Sequence, residues 1–346
     1  MGPMPDGTPG RATQAAIRAE PSLMLTRRTL LSRPTLVAAC AAAGSLASAG
    51  YATAFEPHRV QVTHYRLCPP RWPAGLTLRI AVLTDFHAHP RCMGEGAIAD
   101  VVARTNALAP DVTVLLGDYG SQSRGAVPFE TVADLLRGLR APKGVYAIQG
   151  NHDWGDDRAA LRRGYGPTRA EQALRAAGIT FLENVGVRLD VPDPVWLVGL
   201  ESEATPGRAL DPVRLDRQRA DMLAQALRDV PAEGAAILLA HEPDLFATGL
   251  DPRIALTLSG HTHGGQVRIL GWSPWIPSRY GLRYAYGHMV EAGRDLIVSA
   301  GLGSHFVAGR PLRLGIPPEI VVVDLGAFPE GDAKPAALAR GRGGPA

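Results

Sequence analysis

Cysteine is nearly absent from this chain: Cys40, Cys68 and Cys92 are the three among 346 residues. Cys68 precedes an apolar run over 76–84 and Cys92 lies beyond its far end. A strand of that length spans roughly 25–30 Å at about 3.3 Å per residue, whereas bridged Cα atoms sit within about 7 Å. No disulfide is expected. Charge of one sign is lacking too. The formal net charge is +3, part of it near the N-terminus, which leaves no basic stripe of the kind a dedicated nucleic-acid binder carries. There is no internal repeat, and no apolar run long enough to be an unambiguous membrane span. What is present describes a globular protein: 46% hydrophobic and 20% charged residues, in a chain long enough for one large domain or two ordinary ones.

Residues 1–54 read as a targeting segment. Thr26-Arg27-Arg28-Thr29-Leu30-Leu31 matches the twin-arginine export pattern, and an Ala-rich run over 36–54 follows it. Ala47-Ser48-Ala49 and Ala52-Thr53-Ala54 both have the small-residue form of a cleavage site. Arg33 and Pro34 interrupt the apolar stretch. The expectation is export by the twin-arginine machinery, to the periplasm or the outer face of the cytoplasmic membrane. Two alternatives stay open. Val37-Ala38-Ala39-Cys40 resembles a lipobox, which would make Cys40 a lipid anchor. An uncleaved leader would instead hold the protein peripherally on a membrane.

From Arg59 the pattern becomes regular. Strands are predicted over 60–67, 76–84, 112–116, 145–148, 195–198, 235–239, 254–258, 296–299 and 319–325. Helices are predicted over 97–108, 129–139, 168–177 and 213–228, with Thr168 as an N-cap. The first two strands, joined by a Pro-rich turn over 68–75, read as a hairpin. Alternating strands and helices imply a layered α/β arrangement over 55–330. The tail over 331–346, rich in Gly, Ala and Arg, is expected to be disordered.

Polar residues collect where those strands end. Leu83-Thr84 runs into Asp85-Phe86-His87, Leu116 into Gly117-Asp118, and Gln149 into Gly150-Asn151-His152-Asp153. Ala240 runs into His241, and Ser259 into Gly260-His261-Thr262-His263-Gly264-Gly265-Gln266. Layered α/β sheets gather ligands at the carboxyl ends of their strands, and imidazole is the commonest transition-metal ligand. The glycines around His261 and His263 allow the close backbone approach a loop folded around a small ligand needs. Together these residues describe a metal site.

In that order, D-x-H, G-D, G-N-H-D, a lone His after a strand and G-H-x-H resemble the calcineurin-like metallophosphoesterase family, over about 78–266. The leader and G-H-T-H-G-G-Q are most similar to its exported bacterial branch. The resemblance implies a four-layer α/β/β/α sandwich of two mixed sheets, with a dimetal site at the strand ends. It implies two divalent metal ions, for which N and O ligation suits Mn, Fe, Zn or Co better than Ca. Asp85, His87 and His263 would hold the first, Asn151, His241 and His261 the second, and Asp118 would bridge both. His152 would serve the leaving group as a catalytic residue, with Asp153 orienting it.

The implied activity is hydrolysis of a phosphoester by a hydroxide bridging the two metals, first of all as a phosphodiesterase. A phosphomonoesterase or a pyrophosphate hydrolase acting on a lipid-linked nucleotide would use the same ligands. A metal-bound scaffold without turnover is the alternative of another class. Nucleic acid is not an expected partner.

Three departures from the family pattern stand out. Ser121 replaces a second acid after Gly117-Asp118, Thr84 replaces a serine, and Gln149 is polar where an apolar residue is usual. Arg158, Arg162, Arg163 and Arg169 read as a solvated charged face, with an anion-receiving role as the alternative. The segment over 272–286 is either a hydrophobic lip, fitting a lipid-linked substrate, or a cover for the sheet edge. His89 is expected at the surface. His58, His64, His288 and His305 lack a motif and read as solvent-exposed or satisfied within the core.

Overall fold

The computed structural model describes residues 44–327 apart from 46, 121–124, 204, 207–210 and 249–250. The twin-arginine stretch, Cys40, Ser121 and the tail over 331–346 lie outside the described residues. The chain divides into two compact units, Met1–Ser48 and Ala49–Ala346, and everything below concerns the second. Cys68 and Cys92 are both free.

In chain order, β1 (Gln61–Leu67) and β2 (Leu78–Leu83) are followed by α1 (Glu95–Ala107), β3 (Val112–Leu115), α2 (Phe129–Leu136) and β4 (Val145–Ala147). Three short helices come next, α3 (Asn151–Gly155), α4 (Arg158–Arg163) and α5 (Arg169–Ala176). They lead to β5 (Thr180–Phe181), β6 (Val185–Arg188), β7 (Val195–Gly199) and α6 (Pro212–Ala226). The remaining strands are β8 (Ala235–Leu239), β9 (Ile254–Ser259), β10 (Gly287–Glu291), β11 (Arg294–Val298), β12 (Phe306–Val307), β13 (Arg310–Pro311) and β14 (Glu319–Leu325).

Two six-stranded sheets result, ordered β1-β14-β2-β3-β4-β5 and β10-β11-β9-β8-β7-β6. Strands β2 to β5 pair in parallel in the first, and β7, β8, β9 and β11 in the second. Antiparallel partners border each parallel block, so both sheets are mixed. Period-2 alternation then sorts the apolar side chains into layers. Ile80, Val82 and Val114 pack with Leu197, Ile237 and Leu239 between the sheets. Their neighbours Leu83 and Leu115 pack outward with Ile98, Val132 and Leu174, from α1, α2 and α5. Val198, Ala236 and Leu238 pack outward on Met222, Leu223 and Ala226 of α6. Each fully buried Leu, Ile or Val contributes about 1.5–3 kcal/mol. The expected four-layer α/β/β/α sandwich is the observed fold.

One expectation is overturned. β1 and β2 do not form a hairpin, because β14 lies between them, parallel to β1 and antiparallel to β2. The two strands do run in opposite directions, but two strand spacings, roughly 10 Å, separate them. Their connection carries Pro69, Pro70 and Pro73 and is longer than the two to five residues of a tight hairpin. β14 is buried at every position, so its backbone groups need ladder partners on both edges.

Thr168 does cap α5, its Oγ1 accepting the Glu171 N–H at 3.2 Å. The same hydroxyl donates to Oε1 of the buried Gln149 at 3.0 Å. That bond serves only the amide oxygen, since Gln149 Nε2 is buried without a partner among the described residues.

Candidate dimetal centre

The carboxyl ends of β2, β3, β4, β8 and β9 deliver the polar loops to one place, and the backbone stitches them together. Asp85 N–H donates to Gly117 O at 3.0 Å, His87 N–H to Asp118 O at 3.0 Å, and Gly260 N–H to His241 O at 3.1 Å. The approach is close enough that a Cβ on Gly150 would collide with the Asp118 carboxylate. Asp85, His87, Asp118, His261 and His263 all hold positive φ, between 40° and 69°. Non-glycine residues rarely adopt that region, and where they do the site usually requires it. Here it turns five side chains inward from the strand ends.

Two groups of donors converge. In the first, His87 Nε2 lies 2.9 Å from His263 Nε2, and His263 Nε2 lies 3.3 Å from Asp85 Oδ1. Two nitrogens each about 2.0–2.1 Å from one ion would show that N···N separation at a right angle. In the second, Asn151 Oδ1 stands 2.7 Å from His261 Nδ1 and 3.1 Å from His241 Nε2. Between the groups, Asp118 Oδ2 lies 3.6 Å from His87 Nε2 and 3.3 Å from His241 Nε2. A carboxylate so placed has donors of both groups within reach and could serve two cations at once. The His241 Nδ1–H donates to Leu116 O at 2.6 Å, which turns Nε2 toward the site, the orientation a ligating histidine requires. Nitrogen and oxygen donors in two threes around one carboxylate fit a pair of divalent transition metals.

The electrostatics agree. Asp85 and Asp118 are buried. Burial alone would raise Asp118, but His241, His152 and His87 hold its carboxyl well below the usual carboxylate range. Asp85 is pushed up by burial and by the charge of Asp118, against the pull of His241. Burial drives His87 well below the ordinary imidazole value despite Asp118, with His152 adding to the fall. Burial, with His305 and His87, does the same to His263. Both rings are therefore neutral at physiological pH and offer lone pairs. Burial pushes His241 down as well, but Asp118 and Asp85 raise it well above that value, so a metal taken up there would displace a proton.

The remaining predicted residues divide. His152 lies beside the first group, its ring 4.8 Å from that of His87, and its Nδ1 is buried without a partner among the described residues. Its backbone N–H donates to Asp118 Oδ1 at 2.7 Å. Asp153 does not orient it. The Asp153 carboxylate instead accepts the N–H groups of Asp118, Tyr119 and Gly150 at 2.8–3.0 Å, fastening the second loop to the third. Glu242, next to His241, accepts the Ser202 hydroxyl at 2.6 Å.

His305 was missed. Its ring stands 4.7 Å from His263, 4.9 Å from His87 and 5.6 Å from His152. No sequence motif marks it, because the loop after β11 reaches the site only once β11 and β14 are in place. His89 is buried rather than exposed, 4.7 Å from the ring of Phe306. His58 and His64 are exposed, and His288 pairs with Asp295 at 2.6 Å, as read. Arg158, Arg162 and Arg163 face solvent on α4, and Arg169 pairs with Glu130 at 2.9 Å. The segment over 272–286 splits. Trp272 and Trp275 are 58% and 63% exposed, while Tyr284 is buried and meets Phe246 edge-on in the outer core. Just before it, Ile269 and Trp272 pair across a turn whose tip, Leu270, is fully exposed.

The sandwich and the two donor groups around Asp118 define a metal-dependent hydrolase of phosphoester bonds. The family model for the calcineurin-like phosphoesterases matches residues 78–265, and the chain belongs to the calcineurin-like metallophosphoesterase family. It is 31% identical over 288 residues to the uncharacterized metallophosphoesterase YkuE of Bacillus subtilis, covering 82% of this chain and 93% of that one. It is 29% identical over 303 residues to the phosphodiesterase YaeI of Escherichia coli, covering 86% of this chain and 100% of that one. A Bos taurus transmembrane protein with a metallophosphoesterase domain is 30% identical over 329 residues, covering 90% of this chain and 66% of that protein.

Proposed function

We propose that this protein is a phosphodiesterase that works with two divalent metal ions of the Mn, Fe, Zn or Co type. The observation that carries the reading is Asp118, one carboxylate within 3.6 Å of His87 and 3.3 Å of His241, with a separate group of donors on either side. The name of the relative YaeI points the same way. Bound there, two cations would supply a hydroxide from water at neutral pH and neutralise charge on the phosphoryl oxygens. The chain's own residues do the rest. Asp85, His87 and His263 hold one position, Asn151, His241 and His261 the other, and burial keeps bulk water from screening their charges. His152, with Nδ1 free of competing bonds among the described residues, stands where a leaving oxygen takes a proton. The deciding experiment is hydrolysis of bis-p-nitrophenyl phosphate against p-nitrophenyl phosphate by metal-stripped protein reconstituted with Mn or Zn. Metal-dependent turnover of the diester is expected. Preference for the monoester would replace the reading with a phosphomonoesterase.

We also infer a lipid-linked phosphodiester at a membrane surface as the natural substrate. The turn at Leu270, with Trp272 and Trp275, supports it. It leaves the histidine loop directly, Arg268 N–H donating to Leu314 O at 2.7 Å and Ser273 Oγ to Gly265 O at 3.3 Å. Exposed Trp and Leu at a protruding tip suit the boundary of a bilayer. Among the described residues no helix is long and apolar enough to cross one. Wild type should sediment with anionic vesicles, and Leu270→Glu should not. Equal sedimentation of both would remove the lipid reading and leave the diesterase intact. Thr26 to Leu31 supports twin-arginine export to the periplasm or the outer face of the membrane. Arg27→Lys with Arg28→Lys should retain a reporter fusion in the cytoplasm.

A further inference from the structure

The loop that carries His305 is built as firmly as the metal loops themselves. A Cβ on Gly303 would collide with the backbone oxygen of Phe86, so this loop lies directly against the first metal loop. The Gly303 N–H donates to Asp85 O at 2.6 Å and the Leu302 N–H to Thr84 O at 3.0 Å. Beneath it the guanidinium of Arg313 is buried among carbonyls. It donates to Ala300 O at 2.8 Å, to Gly303 O at 2.9 Å and to Ile316 O at 3.1 Å. It also reaches Gly301 O and Ser304 Oγ, both at 3.2 Å, and His263 Nδ1 at 3.3 Å. His305 itself is tied at the backbone, where its N–H donates to Oε1 of Gln266, the last residue of the G-H-T-H-G-G-Q loop, at 3.0 Å.

The imidazole of His305, by contrast, makes no hydrogen bond among the described residues. Its surroundings are three other rings, His87, His263 and His152. A side chain whose backbone is so firmly anchored and whose ring nitrogens have no protein partner is poised for a ligand. Metal ligation is the less economical assignment. The first position already has Asp85, His87, His263 and Asp118, and adding His305 would leave little room for water or substrate. A ring nitrogen of His305 does lie within 4.8 Å of those of His87 and His263, so metal content separates the two roles in the test below.

We propose that His305 is a substrate-contacting residue that faces His152 across the first metal position and donates a hydrogen bond to a phosphoryl oxygen of the bound phosphoester. The two rings, 5.6 Å apart, then flank that phosphoryl group. A neutral imidazole carries one N–H and is sufficient for this. No bond is made or broken by His305, which binds and orients. The inference rests on the dimetal reading above, but its test needs no turnover.

The probe is inorganic phosphate, titrated calorimetrically into metal-reconstituted wild type, His305→Ala and His305→Gln, with metal content measured on the same samples. Hydrogen bonds to charged groups are worth enough for roughly a tenfold or greater loss of phosphate affinity in His305→Ala. His305→Gln, which keeps a donor of similar reach, should recover most of it, and both variants should retain two metals per chain. Loss of one metal equivalent in His305→Gln would make His305 a ligand and overturn the proposal. Phosphate affinity unchanged in both variants would overturn it as well. If wild type bound metals and phosphate yet left the diester intact, the phosphodiesterase reading would fail while this one survived.

Discussion

Asp153 holds Asp118 by its backbone. One oxygen of the Asp153 carboxylate accepts the Asp118 N–H at 2.9 Å and, from the next loop, the Gly150 N–H at 2.8 Å. Its other oxygen accepts the Tyr119 N–H at 3.0 Å. The carboxylate shared between the two donor groups is therefore positioned by a second carboxylate that never faces the site.

Replacing that second carboxylate strands three buried donors. Asp153→Ala should cost about 3 kcal/mol or more of unfolding free energy, since each unsatisfied buried N–H costs about 1–3 kcal/mol. Urea denaturation reads this directly. A variant as stable as wild type would show that these three bonds do not hold the loops together.

On the proposed dimetal reading, both metal positions depend on Asp118. Asp118→Asn removes the charge shared by the two groups and should lower occupancy at both, read as metal equivalents per chain after equilibration with Mn or Zn. A variant that still held two equivalents at wild-type affinity would rule out bridging.

Much of this was legible in the sequence, and the reason is physical. Each metal loop follows directly on a buried strand, so Asp85, Asp118, Asn151, His241 and His261 are announced by the apolar run before them. What escaped depends on partners remote in the chain. β14 enters between β1 and β2 from more than 230 residues away, a pairing that no local spacing encodes. His305 reaches the site through contacts of its loop with Thr84 and Asp85. Asp153 looks from its position like the orienting partner of His152, its neighbour on α3. Only the fold shows that the two side chains diverge.

His152 should separate chemistry from metal binding. His152→Ala ought to keep its metals, since the donors of both groups are elsewhere, while turnover of a diester falls by roughly 10²–10⁴. Substrates with good leaving groups should lose least, because their oxygens need the proton least. Metal loss in this variant would reassign His152 to the ligand shell.

The histidines also predict how the metal-free protein responds to acid. Burial, with neighbouring His152 and Arg313, pushes His305 down to about 4 against the opposing pull of Asp118. Burial also places His87 and His263 well below the ordinary value. In the folded chain these rings stay neutral, whereas in the unfolded chain they take a proton near pH 6.5. The folded state then binds fewer protons, so their contribution to stability is lost as pH falls below about 6.5. For His305 the loss levels off near its folded value. His241 works in the opposite sense. Its folded value is raised, so its contribution is complete below the ordinary imidazole value and is lost as pH rises through the folded one. Comparing metal-free wild type with His305→Gln isolates one ring from this sum. Between about pH 7 and pH 5, wild type should lose about 1–2 kcal/mol more unfolding free energy than the variant. Equal losses would mean that His305 titrates as an exposed histidine does, and that its ring is not held among the others.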